Sequence, residues 1–415
     1  MSVASQLLSP CQEKALHFLK QNSENIFLTG CAGTGKSFLL RQFLKDKDRK
    51  IFPVVASTGA AAVLIGGRTF HSFFGLGIME GGVQKTIERA LQEKKLCRRL
   101  RKIRGFVLDE VSMISGLALR AAEAICRMAR KNKEPWGGAR VIAVGDFAQL
   151  PPVNIHGSEK EWAFLDPVWD QSRLIPCVLK TVMRTEDQQY IRILNAIREG
   201  RVHEEVKTYL DAKTGESFDH DGVPRLFPRR EMAEQFNLGR LSELKGSLKE
   251  FPTVYSGSSD RFVEMIKKNA PVPAVLQLKK SALVMIRAND PCLKYANGSL
   301  GNVTKIDDDS LEIRLKNGRE ITLEQVSFSL LNAEGKEVAT ATNFPVMLAY
   351  AMTIHKAQGA TLDGMVCDLK GLWEPGQAYV ALSRLKTGLG LKLTGWDECS
   401  IRVDPQVVEF YQGLK

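Results

Sequence analysis

The chain has 415 residues, 58 of them basic and 47 acidic, giving a formal net charge of +11. That length allows two or three domains, and a hydrophobic fraction of 44% lets each bury a core. The charge favours a polyanionic partner, and no run approaches the ~18 apolar residues needed to cross a bilayer.

The N-terminus, MSVASQLLSPCQEKAL, lacks a basic flank followed by an apolar stretch, so no secretory signal is expected. The 8 cysteines are scattered, without a C-x-x-C pair or a nearby His. Reduced thiols are expected, and neither a disulfide framework nor a zinc site. No low-complexity segment and no fixed short repeat interrupts the chain.

NIFLTG reads as a buried strand, followed by a Gly-rich turn and the helix KSFLLRQFL. The turn, Gly30-Cys31-Ala32-Gly33-Thr34-Gly35-Lys36-Ser37, fits G-x-x-x-x-G-K-[ST] in the strand-to-helix context this motif requires. Gly33 and Gly35 let backbone N–H groups turn towards a β-phosphate, and the helix N-terminus adds partial positive charge. Lys36 is expected on the β- and γ-phosphates and the Ser37 hydroxyl on Mg²⁺, so ATP and Mg²⁺ are the expected cofactors. A chance Gly-rich turn would not carry Lys-Ser, strand and helix together.

IFPVVAST is a second strand. Lys85 to Arg104 follows a helical pattern rich in cations (Lys94, Lys95, Arg98, Arg99, Arg101, Lys102). It reads equally as a patch facing a polyanionic partner or a solvated basic face. GFVLDE is a third strand, closed by Asp109 and Glu110. Alone, two acids at a strand end are usually just solvated. Beside a phosphate loop, Asp109 is expected on the metal and Glu110 as general base for the attacking water. LALRAAEAICRMARKN shows helical spacing, with Leu117, Ala121, Ile125 and Met128 on one face. ARVIAVGD is a fourth strand. Strands alternating with helices imply a mostly parallel sheet whose strand ends carry the ligands.

The second half is less regular. PRLFPRREMAEQFNLGRL reads as a short strand and a helix. AVLQL, ALVMI, GNVTKI, LEIRL and REITL alternate strictly between turn signals, as in a small β module. Parallel-sheet character is expected to return with PVMLAYAMTIHKA and MVCDL, and the chain closes on an amphipathic tail.

GCAGTGKS, VVASTGAAA, TFHSFFG, LDEVSMI, PWGGARVIAVGDFAQLPPV, VMRTED, YANGSLGNV, TIHKAQGATLD and YVALSRLKTGLGL occur in one order. From Gln12 to Trp396, that set resembles the superfamily-1B helicases of the petite-integration-frequency (Pif) type, related to RecD-like and phage Dda-like helicases. The resemblance implies an α/β fold of two RecA-like parallel-sheet domains with a nucleotide cleft between them and a small β-rich, Src-homology-3-like insertion. The expected boundaries are 1–180 for the first domain, with a DNA-facing insertion near 64–80. The second takes 181–298 and 341–415, and the β-rich insertion takes 299–340. The implied activity is ATP-driven 5′-to-3′ movement on single-stranded DNA with duplex unwinding in replication, recombination or repair. The implied partners are single-stranded and forked DNA bound by a monomer. G-quadruplex and RNA–DNA hybrid substrates stay open. A bacterial or phage source would place it in the cytoplasm with the nucleoid.

The same resemblance implies site residues. Gln12 would read adenine, since an amide both donates and accepts. Gly30, Gly33, Thr34, Gly35 and Gly359 join it at the nucleotide. Gln149 would sense the γ-phosphate. Arg184 and Arg384 would reach that phosphate from the second domain, where a guanidinium suits spread negative charge. DNA contacts are implied for Thr58, Gly59, Thr69, His71 and Ser72, and for Asn297, Ser299, Thr353, His355 and Lys356; short hydroxyls, amides and Lys hold phosphates without reading sequence. Phe70, Phe73 and Phe74 stand evenly between a stacking surface and a core anchor. His355 has no partner at metal-ligand spacing. Arg229, in LFPRRE, departs from the Thr-Asn or Thr-Arg of many relatives, which weakens a DNA role for Arg229 and Arg230.

Overall fold

A computed structural model describes residues 8–58, 62, 68–77, 79, 81–152, 161–215, 223–288, 290, 294–295, 297–331 and 337–414. The chain divides into two compact units, one built from Met1–Thr58, Gly67–Ile191 and Val403–Lys415, the other chiefly from Arg192–Arg402.

In the first unit, β1 (Ile26–Gly30), β2 (Val54–Ala56), β3 (Arg68–Thr69), β4 (Gly105–Asp109), β5 (Arg140–Val144) and β6 (Ile175–Leu179) form one sheet in the order β3-β2-β4-β5-β1-β6. Every pairing in it is parallel. β1 is buried along its length, and Ile26, Leu28, Leu39, Phe43, Val107, Ile142 and Val144 share one core. Helix Pro10–Gln21 opens on a capping box: the Ser9 hydroxyl accepts from the Gln12 N–H at 3.3 Å, and the Gln12 side chain accepts from the Ser9 N–H at 3.0 Å. Helix Gly116–Arg130 turns Ala118, Leu119, Ala121, Ala122, Ile125, Cys126 and Ala129 inward. Leu117 and Met128 flank that face and stay 37% and 49% exposed, so the expected stripe is shifted around the helix.

The second unit holds β7 (Arg225–Phe227), β8 (Lys249–Pro252), β9 (Val254–Gly257), β10 (Val275–Leu278), β11 (Leu283–Ile286), β12 (Leu300–Ile306) and β13 (Ser310–Leu315). It continues with β14 (Glu320–Glu324), β15 (Val326–Leu331), β16 (Glu337–Asn343), β17 (Val346–Leu348), β18 (Ala351–Thr353), β19 (Met365–Asp368) and β20 (Leu391–Gly395). β18-β7-β19-β20 is a second parallel sheet. The antiparallel sheet β14-β13-β12-β11-β17 has its own core, including Val284, Ile286, Val303, Leu311, Ile313, Phe344 and Val346. In β13 the residues Leu311, Ile313 and Leu315 point inward, while Glu312 and Arg314 point out.

Three boundary expectations change. The antiparallel region exceeds 299–340, because β12 to β14 build onto β11 and, through it, onto β17. PVML therefore joins the antiparallel sheet, and parallel pairing resumes only at β18. The first unit also runs past residue 180, since the segment after β6 is tied to the phosphate loop by the Met183 N–H, which donates to the Gly33 carbonyl at 2.8 Å. The tail 403–415, expected in the second domain, packs with the first unit. There, the Phe410 ring lies 4.4 Å from that of Phe164 and 5.4 Å from that of Phe147.

Candidate nucleotide site and nucleic-acid interface

The phosphate loop leaves the carboxyl end of β1, the strand that lies between β5 and β6. Gly33 has φ +84°, and a Cβ there would stand 2.8 Å from the Arg184 Cβ. Gly35 has φ +83°, and a Cβ would meet the Gln12 Nε2 at 2.3 Å. At both positions the backbone conformation and the close approach require glycine. The Thr34 hydroxyl donates to the Cys31 carbonyl at 2.9 Å. Lys36 Nζ folds back over the loop and donates to the carbonyls of Gly30 at 2.7 Å and Cys31 at 3.1 Å. Ser37 is the second residue of helix Lys36–Leu44.

Gln12 is buried against this loop, and its Nε2 donates to the Thr34 carbonyl at 2.9 Å. The Ser9 N–H and the Thr34 carbonyl together fix which way its amide faces. A carboxamide has two donors and two acceptor sites. After those two bonds, one N–H and one lone pair remain, the pair an adenine edge needs.

Asp109 ends β4, and its carboxylate accepts from the Glu110 N–H at 3.1 Å. Burial, together with the neighbouring Glu110 charge, pushes the Asp109 carboxyl up to about 7, with Lys36 pulling the other way. Glu110 itself sits in the left-handed region at φ 54°, a strained conformation for a side chain other than glycine and one that concentrates at functional sites. Two adjacent acids within electrostatic reach of Lys36 concentrate negative charge that a divalent cation would meet. Among the described residues, no group of three or more His, Cys, Asp or Glu could hold a metal by itself. A carboxylate with a hydroxyl, Asp109 and Ser37, is a hard oxygen donor set of the kind Mg²⁺ takes when phosphates and water complete its shell.

Gln149 is buried next to these elements on the loop after β5, and its N–H donates to the Asp146 carbonyl at 2.9 Å. Arg184 is placed differently from expectation. It belongs to the first unit, beside Gly33, because it follows β6, the neighbour of β1. Arg384 does lie in the second unit. It is only 2% exposed, and its guanidinium donates to the Val380 carbonyl at 2.8 Å and the Ser383 hydroxyl at 2.7 Å. Gly359 takes φ +80° in the segment after helix Ile354–Ala357, with open space where a Cβ would be.

Each parallel sheet ends a strand in the same device. Thr69 closes β3 and caps helix Phe70–Phe74, its hydroxyl accepting from the Ser72 N–H at 3.2 Å. Thr353 closes β18 and caps helix Ile354–Ala357, accepting from the Lys356 N–H at 3.1 Å. A histidine, His71 or His355, occupies the second helical position in both. Desolvation lowers the pKa of each. Thr58 is half-buried just beyond β2, while Gly59 lies outside the described residues.

Phe70, Phe73 and Phe74 resolve as core: all are buried, and Phe74 packs on Phe106 and Trp136 at ring distances of 5.4 and 5.9 Å. The stacking-surface alternative fails on that burial. On the basic helix Lys94–Lys102, the Arg99 guanidinium lies 5.1 Å from the Phe73 ring and donates to the Phe73 carbonyl, and Arg101 donates to Ala129 at 2.7 Å. Lys94, Lys95, Arg98 and Lys102 remain exposed. Arg229 stacks over Trp373 at 5.3 Å and Arg230 pairs with Glu234 at 2.6 Å.

One buried cation lies outside every motif. Arg287 follows β11 and is 8% exposed, its Nε buried without a hydrogen-bond partner. Next to it, the Ile286 carbonyl accepts from the Gly298 N–H at 2.8 Å, which places the Asn297–Ser299 loop alongside. Lys356 has its pKa lowered by desolvation and by the charges of Arg230 and Arg287. The available signal was a cation closing the apolar run ALVMI.

Two parallel-sheet units, one carrying a phosphate loop after β1 and an acidic pair at the end of β4, two places along the same sheet, define the class: a P-loop nucleoside triphosphatase of the motor type. The family described as PIF1-like helicase matches residues 8–208. The chain is 50% identical over 405 residues to the ATP-dependent DNA helicase Pif1 of Bdellovibrio bacteriovorus, covering 98% of this chain and 92% of that one. It is 33% identical to the human ATP-dependent DNA helicase PIF1, across 94% of this chain and 62% of that longer protein. The crystal structure of Bacteroides sp. Pif1 with ADP-AlF4 superimposes with a TM-score of 0.85 at 27% identity, covering 98% and 97% of the two chains. The Bacteroides Pif1 structure with ADP-AlF3 and single-stranded DNA gives 0.67 at the same identity and coverage. The chain belongs to the PIF1-like helicase family, whose named members here are ATP-dependent DNA helicases.

Proposed function

We propose that this chain is an ATP-driven motor that moves 5′ to 3′ along single-stranded DNA and separates duplex ahead of it. The observation that carries the reading is the repeated strand, capping threonine and histidine-bearing short helix, one on each parallel-sheet unit. A stepping motor needs two grips on one backbone, and Thr69, His71 and Ser72 match Thr353, His355 and Lys356 in position. Both grips lie on one chain, which suits a monomer. The Bacteroides relative that holds a nucleotide analogue together with single-stranded DNA supports the same pairing of ligands. Phosphate contacts do not distinguish a fork, an R-loop or a G-quadruplex, all of which offer a single strand. The 5′-to-3′ direction comes from the family resemblance.

In this reading Lys36 holds the β- and γ-phosphates, and Gln12 orients the adenine. Glu110 takes the proton of the attacking water, while Gln149 and Arg384 meet the γ-phosphate and Arg184 attends the loop from beside Gly33. Ser37 and Asp109 would hold Mg²⁺, which would neutralise phosphate charge as it develops. Loss of the γ-phosphate removes the contacts made to it, which is the differential free energy a two-state motor requires.

Arg287 and Lys356, with Ser299 and Asn297 alongside, form the phosphate-holding part of the second grip. A buried guanidinium donor without a partner costs roughly 1–3 kcal/mol, a cost a DNA phosphate would offset. Oligo(dT) affinity across a salt series is expected to fall with a log–log slope of about 0.7 per phosphate contacted. Arg287→Gln should reduce that slope by roughly one contact, with turnover at saturating DNA preserved. An unchanged slope would remove Arg287 from the DNA path. Salt-independent binding would remove the DNA reading.

A further inference from the structure

We infer that Tyr411, on the last helix (Pro405–Gly413), is a positioning residue for ATP hydrolysis, setting the loop that presents Gln149. This rests on the reading of Gln149 as the γ-phosphate contact. The Tyr411 hydroxyl donates to the Asp146 carboxylate at 3.1 Å and accepts from the Phe147 N–H at 2.8 Å. It also lies 3.1 Å from the Thr29 hydroxyl. A phenol offers one donor and two acceptor sites. With its proton on Asp146, the Thr29 hydroxyl is the donor in the third bond.

These partners belong to the two strand ends that carry the phosphate machinery. Thr29 precedes Gly30, whose carbonyl takes the Lys36 ammonium. Asp146 shapes the turn that ends at Gln149: its carboxylate also accepts from the Ala148 N–H at 3.2 Å, and its carbonyl from the Gln149 N–H at 2.9 Å. Asp146 and Thr29 are both fully buried, so no solvent can replace a lost phenol. One hydroxyl, 265 residues away in sequence from Asp146, thus ties the root of the phosphate loop to the root of the sensor loop.

The rest of the helix is a separate anchor. The Phe410 ring packs on Phe164, Phe147, Phe27 and Trp169. At the helix start, Trp162 Nε1 donates to Asp404 Oδ2 at 2.7 Å. Holding the helix and holding the loop can therefore be tested apart.

The test compares Tyr411→Phe, Asp404→Asn and Gln149→Ala in the full chain, measuring kcat and KM for ATP with saturating oligo(dT), oligo(dT) affinity and the thermal midpoint. Tyr411→Phe keeps the ring and deletes the hydroxyl. Asp404→Asn keeps the capping oxygen towards Gln406 and weakens the Trp162 bond. The expected result is a kcat about tenfold lower in Tyr411→Phe, the scale of one lost buried hydrogen bond felt in the transition state, with KM and DNA affinity unchanged. Asp404→Asn should lose thermal stability and keep its kcat. Wild-type kcat in Tyr411→Phe, beside an inactive Gln149→Ala, would overturn the inference alone. So would kcat losses that track the thermal midpoint in both tail variants. Full turnover in Gln149→Ala would overturn the reading of Gln149 and the inference with it.

Discussion

Lys36→Ala is expected to reduce DNA-stimulated ATP turnover at least about a thousandfold, the scale for removing a main electrostatic stabiliser of a reacting phosphate or oxyanion. Oligo(dT) affinity should remain near that of the unaltered chain, because Lys36 is not among the proposed DNA grips at Thr69, Thr353, Lys356 and Arg287. The lysine ammonium bonds two loop carbonyls that water can serve in its place, so the fold should persist. Its loss also removes a positive charge that opposes the upward push of burial and Glu110 on the Asp109 carboxyl. Turnover measured by phosphate release, with oligo(dT) binding by anisotropy, checks both halves. Normal turnover would remove the phosphate loop from the reaction.

The second large effect is at Arg384. An arginine that reaches a transferring phosphoryl group is worth roughly 10³–10⁵ in rate. Arg384→Ala should lose that much turnover while ATP binding, read with a fluorescent analogue, largely remains. The guanidinium is buried and bonded to Val380 and Ser383, so alanine could disturb helix Gln377–Leu382 instead. Arg384→Lys separates the two causes. It keeps a positive charge and most of the packing but replaces a planar fork by a point charge. Slow turnover in Arg384→Lys with an unchanged thermal midpoint would mark a role at the phosphate. Wild-type turnover in either variant would leave Arg384 a structural residue.

Much of the first unit was legible because its signals are local. The apolar runs at 26–30, 105–109 and 140–144 became parallel strands, and the motif GCAGTGKS sat on the turn that strand and helix predict. Asp109 and Glu110 fell at a strand end for the same reason. What failed to read depends on contacts between distant segments. Arg184 was expected in the second domain, yet the 180–184 segment docks on Gly33 through one backbone hydrogen bond. The PVML run has the composition of a parallel strand, but its partner β11 runs antiparallel to it. The three phenylalanines at 70, 73 and 74 carry equal cases in the sequence; burial of all three decides them, with Phe74 seated against Phe106 and Trp136. The tail looked like an ordinary amphipathic helix, and no periodicity announces that Tyr411 would reach Asp146 and Thr29.

In the proposed motor, ATP hydrolysis drives directional movement on a single strand. That movement is tested most directly with two duplexes of identical sequence, one carrying a 5′ single-stranded tail and the other a 3′ tail, each followed for ATP-dependent strand separation. Separation of the 5′-tailed duplex is expected, with none of the 3′-tailed one and none of either by Lys36→Ala. Separation of the 3′-tailed duplex alone, or failure on both despite DNA-stimulated turnover, would contradict the proposed motor.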